Sequence, residues 1–582
     1  ARTIEEVVNF CDKIIEFEIN MKEGLWKQKV TLVADDPLRP EKDAFELATG
    51  KSHTYNSERV ASIIPKYMDT KKIYLAKYDE IDGGLDFGIT KPTATKELLE
   101  SINKGTSIIN YIGHGNSRQW AQEQLLIINE NRNDIELMKT QMKLPLWIAG
   151  TCNWGHFDKI NEESFAEELI RTPMDGASAV ISTSRGISVT SNIQFLERIF
   201  NQIFKDKNIT SLTVGSLLQS VKTGGSSGEL FHLFGDPSMK LPLPKAVIQN
   251  AIIRPDTLST LEVGSLNAQI SNFSGTGSFT FQDVPYEKSI PFYFGSKKEY
   301  ISFLENGAEL FKGSFTYSNN TISPKFRVPK DISFKEGFAK IKFNIVLDNG
   351  DEAVGVASNL TLVPGLPSED IDGPIITFLT SSGRVLKNSD HIKKGEEIKI
   401  KISDPNGINI ANKVGHEMIL YDEIQSKEYL ISDKFKYDIN SLTSGSYTFE
   451  PDMNFEQVSI KLKVWDNANN PSESQISLDV SSSDVFELRS VYNYPNPFFD
   501  KTQFTFEITQ SAEITIDIYT LSGLKIKSIS SEYFNEGYGT IDWDGADQFG
   551  QYLSNGVYLY KMNAKRDSQK INFIGRIAII KW

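Results

Sequence analysis

Ile108-Ile109-Asn110-Tyr111-Ile112-Gly113-His114-Gly115 and Leu144-Pro145-Leu146-Trp147-Ile148-Ala149-Gly150-Thr151-Cys152 decide how this chain is read. Each is an apolar run of strand length that stops at a chemically active side chain, a histidine in the first and a cysteine in the second. Between them, Asn131 to Lys143 is polar and helix-prone, so the unit reads strand, crossover helix, strand. A right-handed crossover makes two such strands parallel and brings their C-terminal ends to one edge of the sheet. In open α/β sheets that edge is where sites form. A thiol and an imidazole delivered there are the nucleophile and base of covalent acyl transfer.

The pattern extends in both directions. Lys29-Val30-Thr31-Leu32-Val33-Ala34-Asp35-Asp36, Lys72 to Tyr78 and Gly176 to Thr183 supply three more buried strands, with helical stretches near 56–67, 93–104, 131–142, 162–171 and 191–205. Alternation of this kind predicts a mostly parallel sheet covered on both faces over residues 1–245. The segment closes with Phe231-His232-Leu233-Phe234-Gly235-Asp236-Pro237 and a proline-bearing stretch, Leu241-Pro242-Leu243-Pro244. Beyond it the hydrophobic period changes to two. Turn signals every eight to twelve residues or so predict three β-sandwiches of immunoglobulin-like type, at 246–366, 371–482 and 486–582.

At 582 residues the chain exceeds one hydrophobic core. Its net charge of −14 argues against nucleic acid, because neutralising phosphate requires a basic face. No run of about eighteen apolar residues is present, so no spanning helix is expected. The chain begins at Ala1 with no initiating Met or leader, which reads as a mature or truncated product with a missing N-terminal region allowed for. Of the two cysteines, Cys11 lies in the amphipathic stretch Ile4–Phe17 and reads as a small buried hydrophobe, leaving Cys152 as the reactive thiol.

Cys152 needs a base, and His114 on the neighbouring strand end meets it more easily than His156, four residues along in the same loop. A helix after Cys152 would bring its positive end to the thiolate. The backbone N–H groups of Gly115 and Cys152 make a candidate oxyanion hole. Arg185 at the end of the fifth strand, with Trp120 and Trp154, is a candidate wall of the substrate pocket, against a surface ion pair for the arginine and core packing for the tryptophans. Asp79, Glu80, Asp82 and Glu123 are positioned to orient the histidine, each also readable as a solvated loop acid. Asp35 and Asp36 read as caps of the following helix rather than metal ligands. An inert strand-end thiol and a histidine that merely ends a strand remain the plain alternative.

Asn110-Tyr111-Ile112-Gly113-His114-Gly115 followed by Ala149-Gly150-Thr151-Cys152 resembles the His-Gly and Cys signatures of the gingipain-type (C25) cysteine peptidases of the caspase-like clan, and Val33-Ala34-Asp35-Asp36 resembles their first strand. Trp120 to Glu123, His232 to Met239, Asp404 to Asn409, Gly415-His416 and Val464-Trp465-Asp466 narrow the likeness to the surface sortases of the Bacteroidetes type IX secretion system. Tyr494-Pro495-Asn496-Pro497, Trp543 to Gly550 and Asn555 to Tyr558 resemble the C-terminal sorting sandwich of that system. The resemblance implies removal of a C-terminal sorting domain from secreted cargo, with transfer of the acyl group from Cys152 to an amine on anionic lipopolysaccharide. It also implies a cell-surface location, held peripherally at the outer membrane through the barrel PorV. The chemistry requires no cofactor, and a structural calcium ion is compatible with it. A hydrolytic, secreted gingipain-type endopeptidase and a non-catalytic surface scaffold are the competing expectations.

Overall fold

The computed structural model describes every residue except 1–2, 38–43, 84–87, 205–211, 223–225, 271–273, 295–296, 319, 348–349, 453–454, 482–485 and 582. Its N-terminal domain is built on six strands: β1 (Lys29–Ala34), β2 (Asp69–Tyr74), β3 (Ile108–Ile112), β4 (Leu146–Gly150), β5 (Ala179–Thr183) and β6 (Phe231–Phe234). They lie in the order β6-β5-β4-β3-β1-β2, all parallel except β6, which runs antiparallel to β5. β3, β4 and β5 are buried at every position, as apolar runs without alternation require.

Side chains one residue apart on each strand enter different cores. Val30, Leu32, Ile108, Ile148 and Ile181 join Val60 of α2 (Ala44–Ile63), Phe195 and Ile199 of α5 (Val189–Phe204) and Leu217 of α6 (Val214–Val221). Val33, Ile109, Trp147 and Val180 join Leu98 of α3 (Pro92–Lys104) and Phe165 and Leu169 of α4 (Phe165–Arg171). The result is a three-layer helix–sheet–helix sandwich.

Three local expectations fail. The crossover at 131–142 is not a helix: Asp134–Leu137 makes one 3-10 turn, preceded by a small three-stranded sheet of Gly115–Asn116, Gln119–Trp120 and Leu126–Ile127. Asn133 caps that turn through Ile135 N–H, and Asp134 takes the Ile127 N–H at 2.8 Å, so local side-chain bonds outcompete a helix of marginal length. No helix directly follows Cys152 either. The chain turns through 152–164 before Ser164 caps α4. Cys11, on α1 (Ile4–Ile19), is exposed, because the buried side of that helix carries Lys13, Ile14 and Phe17.

The chain divides into two compact units, one of Ala1–Lys387, Glu397–Phe449 and Ser459–Ile476, the other of Asn388–Glu396, Glu450–Val458 and Ser477–Trp582. In the first, the sheets after the α/β domain include Gly275–Gln282 between Ala339–Val346 and Glu309–Tyr317. A long hairpin, Tyr286–Phe294 with Lys297–Glu305, sends Ile301 and Phe303 into the α/β core beside Tyr74. Further along, Ile375–Thr380, Ile398–Ser403 and Ser444–Phe449 pair antiparallel. In the second unit, Leu488–Tyr494, Thr502–Ile508 and Gly537–Trp543 make one sheet, and Ala512–Tyr519 lies between Lys525–Phe534 and Gly556–Arg566 in the other. Phe504, Phe506, Ile514, Ile516 and Trp543 fill the space between them. Among the described residues no helix is long and apolar enough to cross a membrane.

Candidate active site

The register of β3 and β4 sets the site. Ile112 pairs with Gly150, so His114 and Cys152 each stand two residues past the same rung of adjacent parallel strands. Both are partly exposed, whereas the strands beneath them are closed to solvent. Gly115 makes this approach possible. A β-carbon there would lie 2.5 Å from Thr151 Oγ1, so any larger residue after His114 would push aside the threonine that precedes Cys152. Asn192 Nδ2 donates to Gly150 O at 2.6 Å and Thr183 Oγ1 donates to Thr151 O, tying the approach to Cys152 into α5 and β5. The Ile187 N–H reaches Cys152 Sγ at 3.4 Å, a donor suited to a thiolate.

His114 is held through its main chain. Asp35 Oδ2, at the end of β1, accepts the His114 N–H at 2.9 Å, and Tyr111 Oη donates to His114 O at 2.6 Å. Asp35 therefore serves the histidine segment, and Asp36 pairs with Lys91 Nζ at 2.7 Å. Neither contact is the helix cap expected of them, and the residues leading into α2, 38–43, lie outside the described ones. Of the acids expected to orient His114, Asp79, Glu80 and Asp82 are exposed. Glu123 is buried beside Asp35 and Asp36, where burial and those two charges push its carboxyl up to about 9. The carboxylate that meets the histidine is Asp35, a strand-end acid.

His53 was missed by the sequence reading. It comes from α2, is 4% exposed, and sets its ring edge-on to His114 with centroids 5.1 Å apart. Burial, with His114 as a smaller cause, drives its imidazole down to about 3, so it is neutral. α2 shows no clear apolar stripe, and the only signal was a histidine on a helix following the Asp35 strand.

The pocket-wall expectations change. Trp120 and Trp154 are fully buried and stack with Tyr111, Trp147 and Phe165 in one aromatic cluster beneath the site, Trp120 to Tyr111 at 4.3 Å and Trp154 to Phe165 at 5.2 Å. They support the loops and do not line a cleft. Arg185 makes the surface ion pair, donating from Nη1 and Nη2 to Asp158 at 2.9 and 2.5 Å. His156 turns to the same Asp158, 3.2 Å from Nε2, which removes it as rival base. This pairing, with Asn153 N–H to Arg185 O at 3.3 Å, fastens the loop after Cys152 to the loop after β5. Phe157, His232, Phe234 and Arg171 instead line a cavity of about 500 Å³ beside that loop.

Residues 1–242 match peptidase family C25, and residues 494–568 match the FlgD Ig-like domain. The N-terminal domain thus carries the similarity to that peptidase family along nearly its whole length. Gingipain R2 of Porphyromonas gingivalis is 24% identical over 251 residues, which cover 40% of this chain and 31% of that protein. Gingipain R1 of the same species is 24% identical over 251 residues, 40% of this chain and 23% of that protein. The chain thus spans about a third or less of the length of these relatives. Among solved structures, dimeric latent PorU from Porphyromonas gingivalis is 20% identical, with 70% of this chain and 41% of that one covered at a TM-score of 0.30. The Arg-specific cysteine proteinase gingipain R is 16% identical, covering 62% and 74% at a TM-score of 0.33.

Proposed function

We propose that this protein is a surface sortase of the PorU type, which cleaves cargo before its C-terminal sorting domain and passes the acyl group to an amine. The observation that supports the reading is the shared rung of β3 and β4, from which His114 and Cys152 follow two residues on at the ends of neighbouring strands, in a domain similar to peptidase family C25. His114 takes the thiol proton and Cys152 Sγ attacks the scissile carbonyl. The N–H groups of Cys152 and Gly115 receive the developing oxyanion. Collapse breaks the C–N bond, His114 returns the proton to the leaving amine, and a thioester remains on Cys152. An acceptor amine then attacks the thioester and releases the thiol.

The partners proposed are cargo proteins with C-terminal sorting domains, an anionic lipopolysaccharide as amine acceptor, and the outer-membrane barrel PorV as the anchor that holds the protein at the cell surface. Hydrolysis by a secreted endopeptidase is the second reading, favoured by the identity with gingipains R. The two part at the thioester, because amine wins over water only when it is bound close or water is kept out. Mass spectrometry of a sorting-domain substrate, incubated with the protein and a small amine, decides between them. Amine-capped product is expected. Free carboxylate at every amine concentration overturns the sortase reading, and no cleavage at all overturns both.

A further inference from the structure

His53 has no part in the chemistry above, yet it is buried, and among the described residues neither ring nitrogen has a hydrogen-bond partner. An imidazole left unpaired in the interior is a standing cost to the fold, and proteins keep such groups where a ligand completes them. Its surroundings name the ligand. Asp35, His53 and His114 each present a donor atom, and the three atoms lie within 4.8 Å of one another. Asp36 and Glu123 crowd the same carboxylate, their oxygens also within 4.8 Å of it and each other. Lys91 pairs with Asp36 at the rim of this cluster.

We propose that Asp35, His53 and His114 form a binding site for a dication of the zinc class, which withdraws His114 from Cys152 while it is bound. Two imidazole nitrogens and one carboxylate oxygen are a donor set for zinc. Calcium and magnesium take oxygen donors. Tetrahedral zinc would place its donors roughly 3.4 Å apart, so no pair of donors has to close in by more than about 1.4 Å on binding. The neighbouring acids Asp36 and Glu123 suit the ion's charge. With one ring nitrogen of His114 on the metal, the other carries the ring proton, so neither can take the proton of Cys152 and the ion keeps the thiol unactivated until it is removed. That consequence rests on the peptidase reading. The binding site does not.

Zinc titration against a chromophoric chelator and cobalt(II) spectroscopy, on the full chain and its Cys152→Ser variant, test the site. One-to-one binding is expected in both, with visible cobalt bands of nitrogen and oxygen donors. His53→Gln should weaken zinc binding by about tenfold or more. Absence of saturable one-to-one binding overturns the proposal. So does a thiolate-to-cobalt charge-transfer band that disappears in Cys152→Ser, since the metal would then sit on Cys152 and His114. Undiminished affinity in a folded His53→Gln protein does the same. Where that variant does not fold by near-ultraviolet circular dichroism, the cobalt spectrum of Cys152→Ser decides alone. Iodoacetamide labelling of the Cys152 peptide, read by mass spectrometry, should slow severalfold with zinc and recover with chelator. An unchanged rate overturns the withdrawal of His114.

Discussion

Cys152 touches the fold lightly. The residue is partly exposed, and among the described residues its sulfur hydrogen-bonds to the Ile187 backbone alone, so truncation leaves little void. Cys152→Ala should keep the melting temperature while cargo cleavage falls by about three orders of magnitude or more, and His114→Ala should fall nearly as far. Retained cleavage by the Cys152→Ala protein would remove the assignment. A second residue reports on pH. Asp466 is buried next to Asp404, and burial pushes its carboxyl up to about 6 against the bonds it accepts from Asn470. Because its folded value lies above the ordinary 3.8, folding takes up a proton. The associated stability is complete below about pH 4 and is lost as pH rises through about 6. Asp466→Asn should flatten the melting temperature over that window and gain about 1–2 kcal/mol over the parent at pH 7.5, the smaller figure allowing for screening. Equal slopes for the two proteins would show that Asp466 titrates normally.

Elements show what periodicity can and cannot convey. β3 and β4 were legible because a strand buried on both faces is an unbroken apolar run, and their endings named His114 and Cys152 directly. The 131–142 stretch was misread because its polarity reports exposure, and Asn133 and Asp134 bond their own backbone in place of a helix. His53 was illegible because its neighbour, His114, comes from an element 61 positions later, and no spacing rule joins them. Lys13 is a similar case. An amphipathic α1 suggested an apolar inner face, yet the ammonium is buried and donates to Ile170 O, Thr172 O, Asp175 O and Leu169 O at 2.7, 2.9, 3.2 and 3.3 Å. Leu169, Ile170 and Thr172 end α4 and its cap, where carbonyls lack intrahelical partners and a cation is favoured by the helix dipole, and Asp175 lies in the turn that follows. Lys13→Met strands them without donors and should cost about 2–4 kcal/mol, read as a fall in the urea midpoint. A midpoint within error of the parent would mean that water replaces the lysine there.

At the scale of the whole molecule, the two kinds of domain divide the proposed work: the α/β domain carries the thiol, and the last sandwich carries the attachment. The change of hydrophobic period announced that division in the sequence. The surface of the sandwich was not announced, because an alternating strand does not reveal which outward residues are aromatic. Tyr494, Tyr533, Phe549 and Tyr552 are between 68% and 79% exposed, which gives this sandwich aromatic side chains available to a partner. Lys525–Phe534 and Gln569–Ile579 are the end strands of the larger sheet; Asn496 and Phe498 already bond the outer edge of the second between Arg576 and Ile580, which leaves Lys525–Phe534 as the better candidate for strand addition. The core of this sandwich is drawn from residues 486–579, so removing it does not take core residues from the α/β domain. Deletion of 486–582 should therefore leave peptidase-domain folding intact, with cleavage of a soluble substrate within about twofold of the parent, while moving the protein from the membrane fraction to the medium. Fractionation followed by immunoblotting reads the outcome. A truncated protein that still co-purifies with the barrel would place the docking surface elsewhere. One that loses cleavage with its fold intact would give the sandwich a part in presenting cargo to Cys152.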